Sequence, residues 1–385
     1  MAKCTAIIVT IRAAKSDRPR RPYESGPRRK RGQEIARQRV WPKGYRHPFA
    51  VIVTNKARGG LRLLWYSAHT LRGALVDMNF SRRSFLGFAV CGLLSRSIQS
   101  VAASAKSPTK TGIDVDRLSV AVGGAGNPAV FVHGFGANKW TWRYLSRGMQ
   151  DNFTYYLIDL PGSGMSPAPK RFNYTIENFA DVIAAFIVRK NLHNVTLIGK
   201  SLGGGIVLLT MIRHSDDLRT RIKRICIIDG IAYPQQFPFF ISFLRNPVLG
   251  PVLVEGLLPE VQARLVLDYC YFDPTLITDK QVQIYAQPLR RREVRDALQK
   301  TARLIDTQRL SKYIPMYKTI DVPSLLIWGR YDRVVPLEIG TRLTRELPQA
   351  RMVVVDRCGH NPEEERPQQV ILALKRFIRS TDSFG

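Results

Sequence analysis

Thr196-Leu197-Ile198-Gly199-Lys200-Ser201-Leu202-Gly203-Gly204-Gly205 decides how the rest of this 385-residue chain is read. A short apolar run ends in a serine with glycine two residues away on either side, and an apolar helical stretch follows. A serine between a strand end and a helix start adopts strained backbone angles, so its neighbours two positions away must be very small. Gly199 and Gly203 meet that demand, and the strain thrusts the hydroxyl out above a sheet, as in a nucleophile elbow. The N-terminus of the next helix aims free N–H groups and its positive dipole end at any oxyanion formed there. The string alone is a weak signal, because a glycine-rich turn reads the same way.

Other segments supply the context. Ala129-Val130-Phe131-Val132 is an apolar, β-branched strand ending in His133-Gly134-Phe135-Gly136. Ser324-Leu325-Leu326-Ile327-Trp328 is another, followed by Gly329-Arg330-Tyr331-Asp332, and Arg351-Met352-Val353-Val354-Val355 leads to Gly359-His360. Ser201, Asp332 and His360 thus each follow the C-terminal end of a strand, and in an open parallel sheet those ends converge on the edge where ligands bind. Helical periodicity over Ile176–Leu192 and Gln368–Ile378 alternates with strand-like runs at Thr154–Ile158, Val195–Ile198 and Ile225–Ile228. This predicts an α/β fold with a mostly parallel central sheet and helices on both faces. Between Gly230 and about Ile314 the alternation stops, and Pro234, Pro238, Pro247, Pro251 and Pro259 break a helical, aromatic stretch into short pieces.

From about residue 111 to 380 the chain resembles an α/β-hydrolase fold enzyme of the serine esterase/lipase branch. His133-Gly134-Phe135-Gly136, Asp159-Leu160-Pro161-Gly162-Ser163-Gly164, Gly199-Lys200-Ser201-Leu202-Gly203, Trp328-Gly329-Arg330-Tyr331-Asp332 and Gly359-His360 carry the resemblance, in the right order and spacing. The resemblance implies Ser201 as nucleophile, His360 as general base and Asp332 as the acid that orients it. It implies an oxyanion hole from the backbone N–H groups of Phe135 and Leu202, each donor worth roughly 3–4 kcal/mol. It also implies a helical cap inserted after the sixth strand, which 231–315 would form. Asp229, after the strand Ile225–Ile228, competes with Asp332 as the acid. His133 fits a structural role beside the oxyanion loop, and Asp159 a bracing role after its strand.

Within the expected cap, Phe237, Phe240 and Phe243 are candidate substrate-binding residues for an acyl pocket, although packing of cap onto core accounts for them as well. Arg290-Arg291-Arg292 and Arg295 read as a solvated face, with anionic lipid as an alternative contact. Glu363-Glu364-Glu365 reads as a helix start that favours negative charge, not a second acid site. Serine at the elbow disfavours dehalogenases and epoxide hydrolases, which use aspartate there. The expected reaction is cleavage of a carboxylic ester of a small molecule or lipid. Carbon–carbon bond hydrolysis, perhydrolysis and a binding receptor with little turnover are the alternatives.

The front of the chain reads differently. Arg82-Arg83, then Phe85-Leu86 and an apolar stretch to about Leu94, resembles a twin-arginine (Tat) export signal that begins at Met78. The apolar core falls short of the roughly 20 residues that span a bilayer. Ala103-Ser104-Ala105 predicts cleavage after Ala105, hence a periplasmic or secreted protein and the export machinery as partner. An uncleaved signal would leave it cytoplasmic or membrane-associated. Residues 1–77 carry 18 Lys or Arg against 4 Asp or Glu and predict a disordered extension, read as an upstream-start artefact or a transit peptide. The domain plan is therefore 1–77, signal 78–105, core 106–230, cap 231–315 and core 316–385.

The chain's formal charge is +29, but residues 106–385 hold 38 basic and 26 acidic side chains, a net of +12. That excess suits an anionic membrane surface, and no nucleic-acid motif accompanies it. Cys226, Cys270 and Cys358 lack metal-ligand spacing, so neither metal nor cofactor is expected. A bond between Cys270 and Cys358 has no support in the sequence.

Overall fold

A computed structural model describes residues 51–56, 60–65 and 112–382. Arg82-Arg83 and the expected cut after Ala105 lie outside the described residues. The chain divides into two compact units, 1–99 and 100–385. In the first, within a stretch expected to hold no structure, Val51–Lys56 and Gly60–Trp65 pair antiparallel in the register Val51↔Trp65 to Lys56↔Gly60. The β-branched run Val51-Ile52-Val53-Thr54 is the strand-forming signal that the surrounding charge obscured.

The second unit is built on seven strands. They are β1 (Val120–Gly124), β2 (Asn127–Val132), β3 (Phe153–Ile158), β4 (Val195–Lys200), β5 (Ile222–Ile228), β6 (Ser324–Gly329) and β7 (Ala350–Val355). Their order is β1-β3-β2-β4-β5-β6-β7, parallel throughout except for the β1–β3 pair. The central strands are buried on both faces, which explains why they read as continuous apolar runs. Alternate residues still divide between two cores. Val130, Val132, Leu197, Ile225, Ile227 and Leu326 pack with the helices Ile176–Arg189 and Leu202–Arg213. Phe131, Ile198, Cys226, Ile228, Leu325 and Ile327 pack on the opposite face with Arg143–Gly148 and Pro367–Asp382.

The periodic helix expected to reach Leu192 stops at Arg189, because Asn191 takes a left-handed backbone (φ 47°), a conformation asparagine tolerates. The helical insertion lies where the alternation stops, but it follows β5, not a sixth strand. Among the described residues the sheet holds one strand fewer ahead of the cap than the resemblance implied. The insertion comprises the helices Phe239–Arg245, Leu249–Gly256, Pro259–Cys270, Asp279–Ala286 and Arg292–Leu304, then 3₁₀ turns through Thr307–Thr319. No described helix is long and apolar enough to cross a membrane.

Candidate active site

Ser201 sits between β4 and the helix Leu202–Arg213 with φ 53° and ψ −118°, a region that L-residues rarely adopt. Steric necessity makes the turn. A Cβ on Gly199 would lie 2.2 Å from the Gly203 carbonyl oxygen, and one on Gly203 would lie 2.1 Å from that of Val132. The neighbouring strand fixes the turn in place, since the Ser201 N–H donates to Ile228 O at 2.9 Å and Ser201 O accepts from Ile231 N at 3.1 Å. The hydroxyl is thereby presented to the loop after β7. His360 Nε2 lies 2.9 Å from Ser201 Oγ, and His360 Nδ1 lies 2.7 Å from Asp332 Oδ2. The other Asp332 oxygen accepts from the N–H groups of Val334 (2.7 Å) and Val335 (3.0 Å), so its carboxylate is fixed in plane.

Asp229, the competing acid, is fully buried with φ 45°, and its Oδ1 accepts from Gly329 N at 2.9 Å. One of its oxygens lies within 4.8 Å of a ligand atom of Asp332 and of His360, but it makes no hydrogen bond to the imidazole, and its Oδ2 has no partner among the described residues. Burial, then the charge of Asp332, pushes the Asp229 carboxyl well above the ordinary carboxylate range. The geometry thus couples His360 to Asp332 and leaves Asp229 behind the pair.

Leu202 opens its helix and Phe135 follows β2. Among the described residues neither backbone N–H donates to a protein acceptor, as a first-turn amide aimed at a ligand requires. His133 stands beside this loop without facing Ser201. Its Nε2 accepts from Leu160 N at 3.1 Å, so the proton is on Nδ1, which donates to Gly134 O at 2.8 Å. Burial lowers the pKa of the ring and keeps it neutral for that task. Asp159 braces two loops, accepting from Lys139 N (2.7 Å) and Met165 N (2.9 Å) while pairing with Lys139 Nζ at 2.7 Å.

A cavity of about 120 Å³ opens onto Ser201 and His360. Of the three expected substrate-binding phenylalanines, only Phe240 lines it, together with Ile241 and Leu244 of the same helix. Phe243 points outward and is 39% exposed, while Phe237 packs on the core beneath the Arg245 guanidinium at 4.8 Å. Ser242 and Arg245 share one side of the helix Phe239–Arg245, and Phe240 and Leu244 lie away from it; apolar content alone does not separate Phe240 from Phe243. Ala263, Val266 and Leu267 of the cap and Phe135 add further apolar wall.

The glutamate run opens the short helix Pro362–Glu365, as expected of a helix start, but it does so in the interior. Glu363, Glu364 and Glu365 are all buried, each against a different part of the molecule. Glu363 accepts from Thr141 Oγ1 at 2.9 Å and pairs with Lys200 Nζ at 3.4 Å. Glu364 pairs with Arg143 and holds the cap through Tyr271 (3.0 Å), Gln281 (2.9 Å) and Tyr285 (3.1 Å). Glu365 accepts from the backbone N–H groups of Gly359 (2.9 Å), Phe272 (2.8 Å) and Asn361 (3.3 Å). Three of the four arginines of the basic run are also paired: Arg290 with Glu260, Arg291 with Glu293 and Arg295 with Glu255. Cys226, Cys270 and Cys358 are buried free thiols.

Lys200, inside the elbow string, is the other residue whose placement the sequence did not disclose. Burial alone would lower the pKa of its ammonium, but the surrounding acids, Glu363 foremost, more than offset this and raise it. The lysine therefore enters the cavity wall as a cation already neutralised by its neighbour.

The family model described as alpha/beta hydrolase fold matches residues 127–367, more than half of the chain. An uncharacterised hydrolase of Bacillus subtilis is 26% identical over 257 residues, covering 65% of this chain and 89% of that protein. The 2-hydroxy-6-oxo-2,4-heptadienoate hydrolase of Pseudomonas putida is 27% identical over 268 residues, covering 67% and 91%. Among solved structures, a putative lipase of Acinetobacter baumannii superimposes with a TM-score of 0.60 at 23% identity, covering 71% of this chain and 91% of its own.

Proposed function

The chain belongs to the α/β-hydrolase fold family, and from that premise we propose that it is a serine hydrolase that cleaves carboxylic esters of apolar acids through an acyl-enzyme. The observation that carries this reading is the relay Ser201 Oγ–His360 Nε2–Asp332, at 2.9 and 2.7 Å, beneath an apolar cavity. Ser201 Oγ attacks the ester carbonyl while its proton passes to His360 Nε2. The new oxyanion is held by the Phe135 and Leu202 N–H groups, which need no reorganisation to receive it. As the tetrahedral adduct collapses, His360 returns the proton to the leaving alkoxide and the acyl group stays on Ser201. Water then repeats the sequence, giving its proton to His360 and releasing the acid and the free serine. Asp332 keeps the Nδ1 tautomer in place and stabilises the imidazolium.

Carbon–carbon bond hydrolysis is the second reading, favoured by the similarity to the Pseudomonas putida dienoate hydrolase. A dienoate is an anion, and burying it calls for an available cation. Lys200 is the one basic side chain lining the cavity besides His360 among the described residues, and Glu363 occupies its charge. That pairing favours a neutral ester.

The test is hydrolysis of p-nitrophenyl esters from acetate to palmitate by the full chain, beside 2-hydroxy-6-oxo-dienoates and the Ser201→Ala variant. Ester turnover that vanishes with Ser201 is the expected result. Turnover of the dienoates alone would replace the ester reading with the carbon–carbon one.

A further inference from the structure

We propose that Lys200 and Asn361 are positioning residues, a buried clamp that sets His360 on Ser201. This inference rests on the serine-hydrolase reading above. Its starting point is adjacency in the chain: Lys200 immediately precedes the nucleophile and Asn361 immediately follows the histidine. The Lys200 ammonium donates to Asn361 Oδ1, so a side-chain bond joins the two catalytic segments one residue away from each reacting group. Both residues are buried, at 5% and 3% exposure, and the contact is shielded from water and salt.

The clamp is anchored behind. Glu363 Oε1 lies 3.4 Å from the ammonium and accepts from Thr141 Oγ1 at 2.9 Å, while the Tyr285 hydroxyl of the cap lies 3.2 Å from Thr141 Oγ1. Removing the lysine would leave a buried amide oxygen and a buried carboxylate without their cation, which forces local rearrangement. Backbone contacts restrain the histidine loop as well. His360 N donates to Cys270 O at 2.7 Å, and Glu365 takes the N–H groups of Gly359 and Asn361. The Lys200–Asn361 bond adds a side-chain tie between β4 and the residue next to His360, beside the Lys200–Glu363 pair.

A displacement of about 1 Å at a reacting group can lower a rate by about 100-fold without touching substrate affinity. The experiment measures the rate at which a fluorophosphonate phosphonylates Ser201, together with kcat and KM on the best p-nitrophenyl ester, in Asn361→Ala, Lys200→Met and the double variant. Asn361→Ala is the primary variant because it leaves the Lys200–Glu363 pair intact and so keeps the buried charges balanced. Both singles are expected to lose about 10–100-fold in phosphonylation rate and kcat, with KM within about twofold. The double variant is expected to fall no further than the worse single, as two ends of one contact should.

Wild-type phosphonylation rate in Asn361→Ala, additive losses in the double variant, or a loss confined to KM each overturns the clamp. A wild-type protein that the fluorophosphonate does not label overturns the serine-hydrolase reading, and the clamp with it. Glu363→Gln combined with Lys200→Met separates positioning from charge balance. Recovery of thermal stability without recovery of rate is expected, and recovery of both overturns the proposal.

Discussion

The turn that carries Ser201 and the loop that carries His360 meet across 2.9 Å, yet different forces hold them. The serine turn is a steric object. Gly199 and Gly203 let two backbone segments come so close that a methyl group would collide with a carbonyl oxygen, and the chain has no other course. The histidine loop is an electrostatic object. Its backbone amides end on Glu365, its flanking asparagine on Lys200, and its cap contact on the Cys270 carbonyl. A steric constraint is local and tolerates nothing, whereas a charge constraint is distributed and yields by degrees.

That contrast ranks the effects of substitution. Gly203→Val adds atoms where a single Cβ already falls 2.1 Å from Val132 O, so the second unit is expected to lose upward of about 4 kcal/mol. Urea unfolding measures this, and a stable variant would show that the elbow can relax. Asp332→Asn is expected to keep the fold and lower kcat by roughly 10⁴-fold, while Asp229→Asn stays near wild-type activity. Equal losses would make both acids members of the relay. Glu365→Ala strips the acceptor from three N–H groups, two of them buried, and should lower stability by about 3 kcal/mol while the elbow stays intact.

Asp229 also gives a dependence on pH. Its folded pKa is raised, so the stability it contributes is present below its unfolded value near pH 4 and is lost as pH rises through the folded one. Asp332, Glu363 and Lys200 face it, and their charges set where that loss falls. Asp229→Asn should remove the dependence, so its unfolding midpoint rises relative to wild type as pH increases from about 4 to 8. A constant difference across that range would contradict the assignment.

The smallest effects lie in the cap. Phe240→Ala should move the chain-length optimum toward longer esters, whereas Phe243→Ala should change stability by no more than about 0.5 kcal/mol and leave the optimum alone. An optimum that moves with Phe243 would place the acyl chain on the outer face of that helix.

The same contrast explains what the sequence disclosed. Steric and periodic constraints are written in neighbouring letters, so the elbow, the strand ends bearing Asp332 and His360, and the helical insertion were all legible. Charge pairing over long separations was not. Glu363 finds Thr141, 222 residues away, and Lys200, 163 positions earlier in number, and nothing local marks either partner. The choice between Asp332 and Asp229 depended on which carboxylate the imidazole reaches, a matter of sheet geometry that two equally placed strand ends could not decide. The phenylalanines failed for a third reason. They were weighed by apolar content, although the periodic placement of Ser242 and Arg245 marks one side of the helix and Phe240 lies away from it.

Two of the three buried thiols, Cys270 and Cys358, flank the same junction and make it observable from outside. Burial pushes the Cys270 pKa up to about 12 and raises those of Cys226 and Cys358 as well, so none carries appreciable thiolate at neutral pH. Cys270 ends a cap helix and Cys358 lies two residues before His360, whereas Cys226 is inside β5. Alkylation by a mass tag therefore becomes a clock. Early modification of Cys270 and Cys358 times the parting of cap from histidine loop, and modification of Cys226 times the melting of the sheet itself.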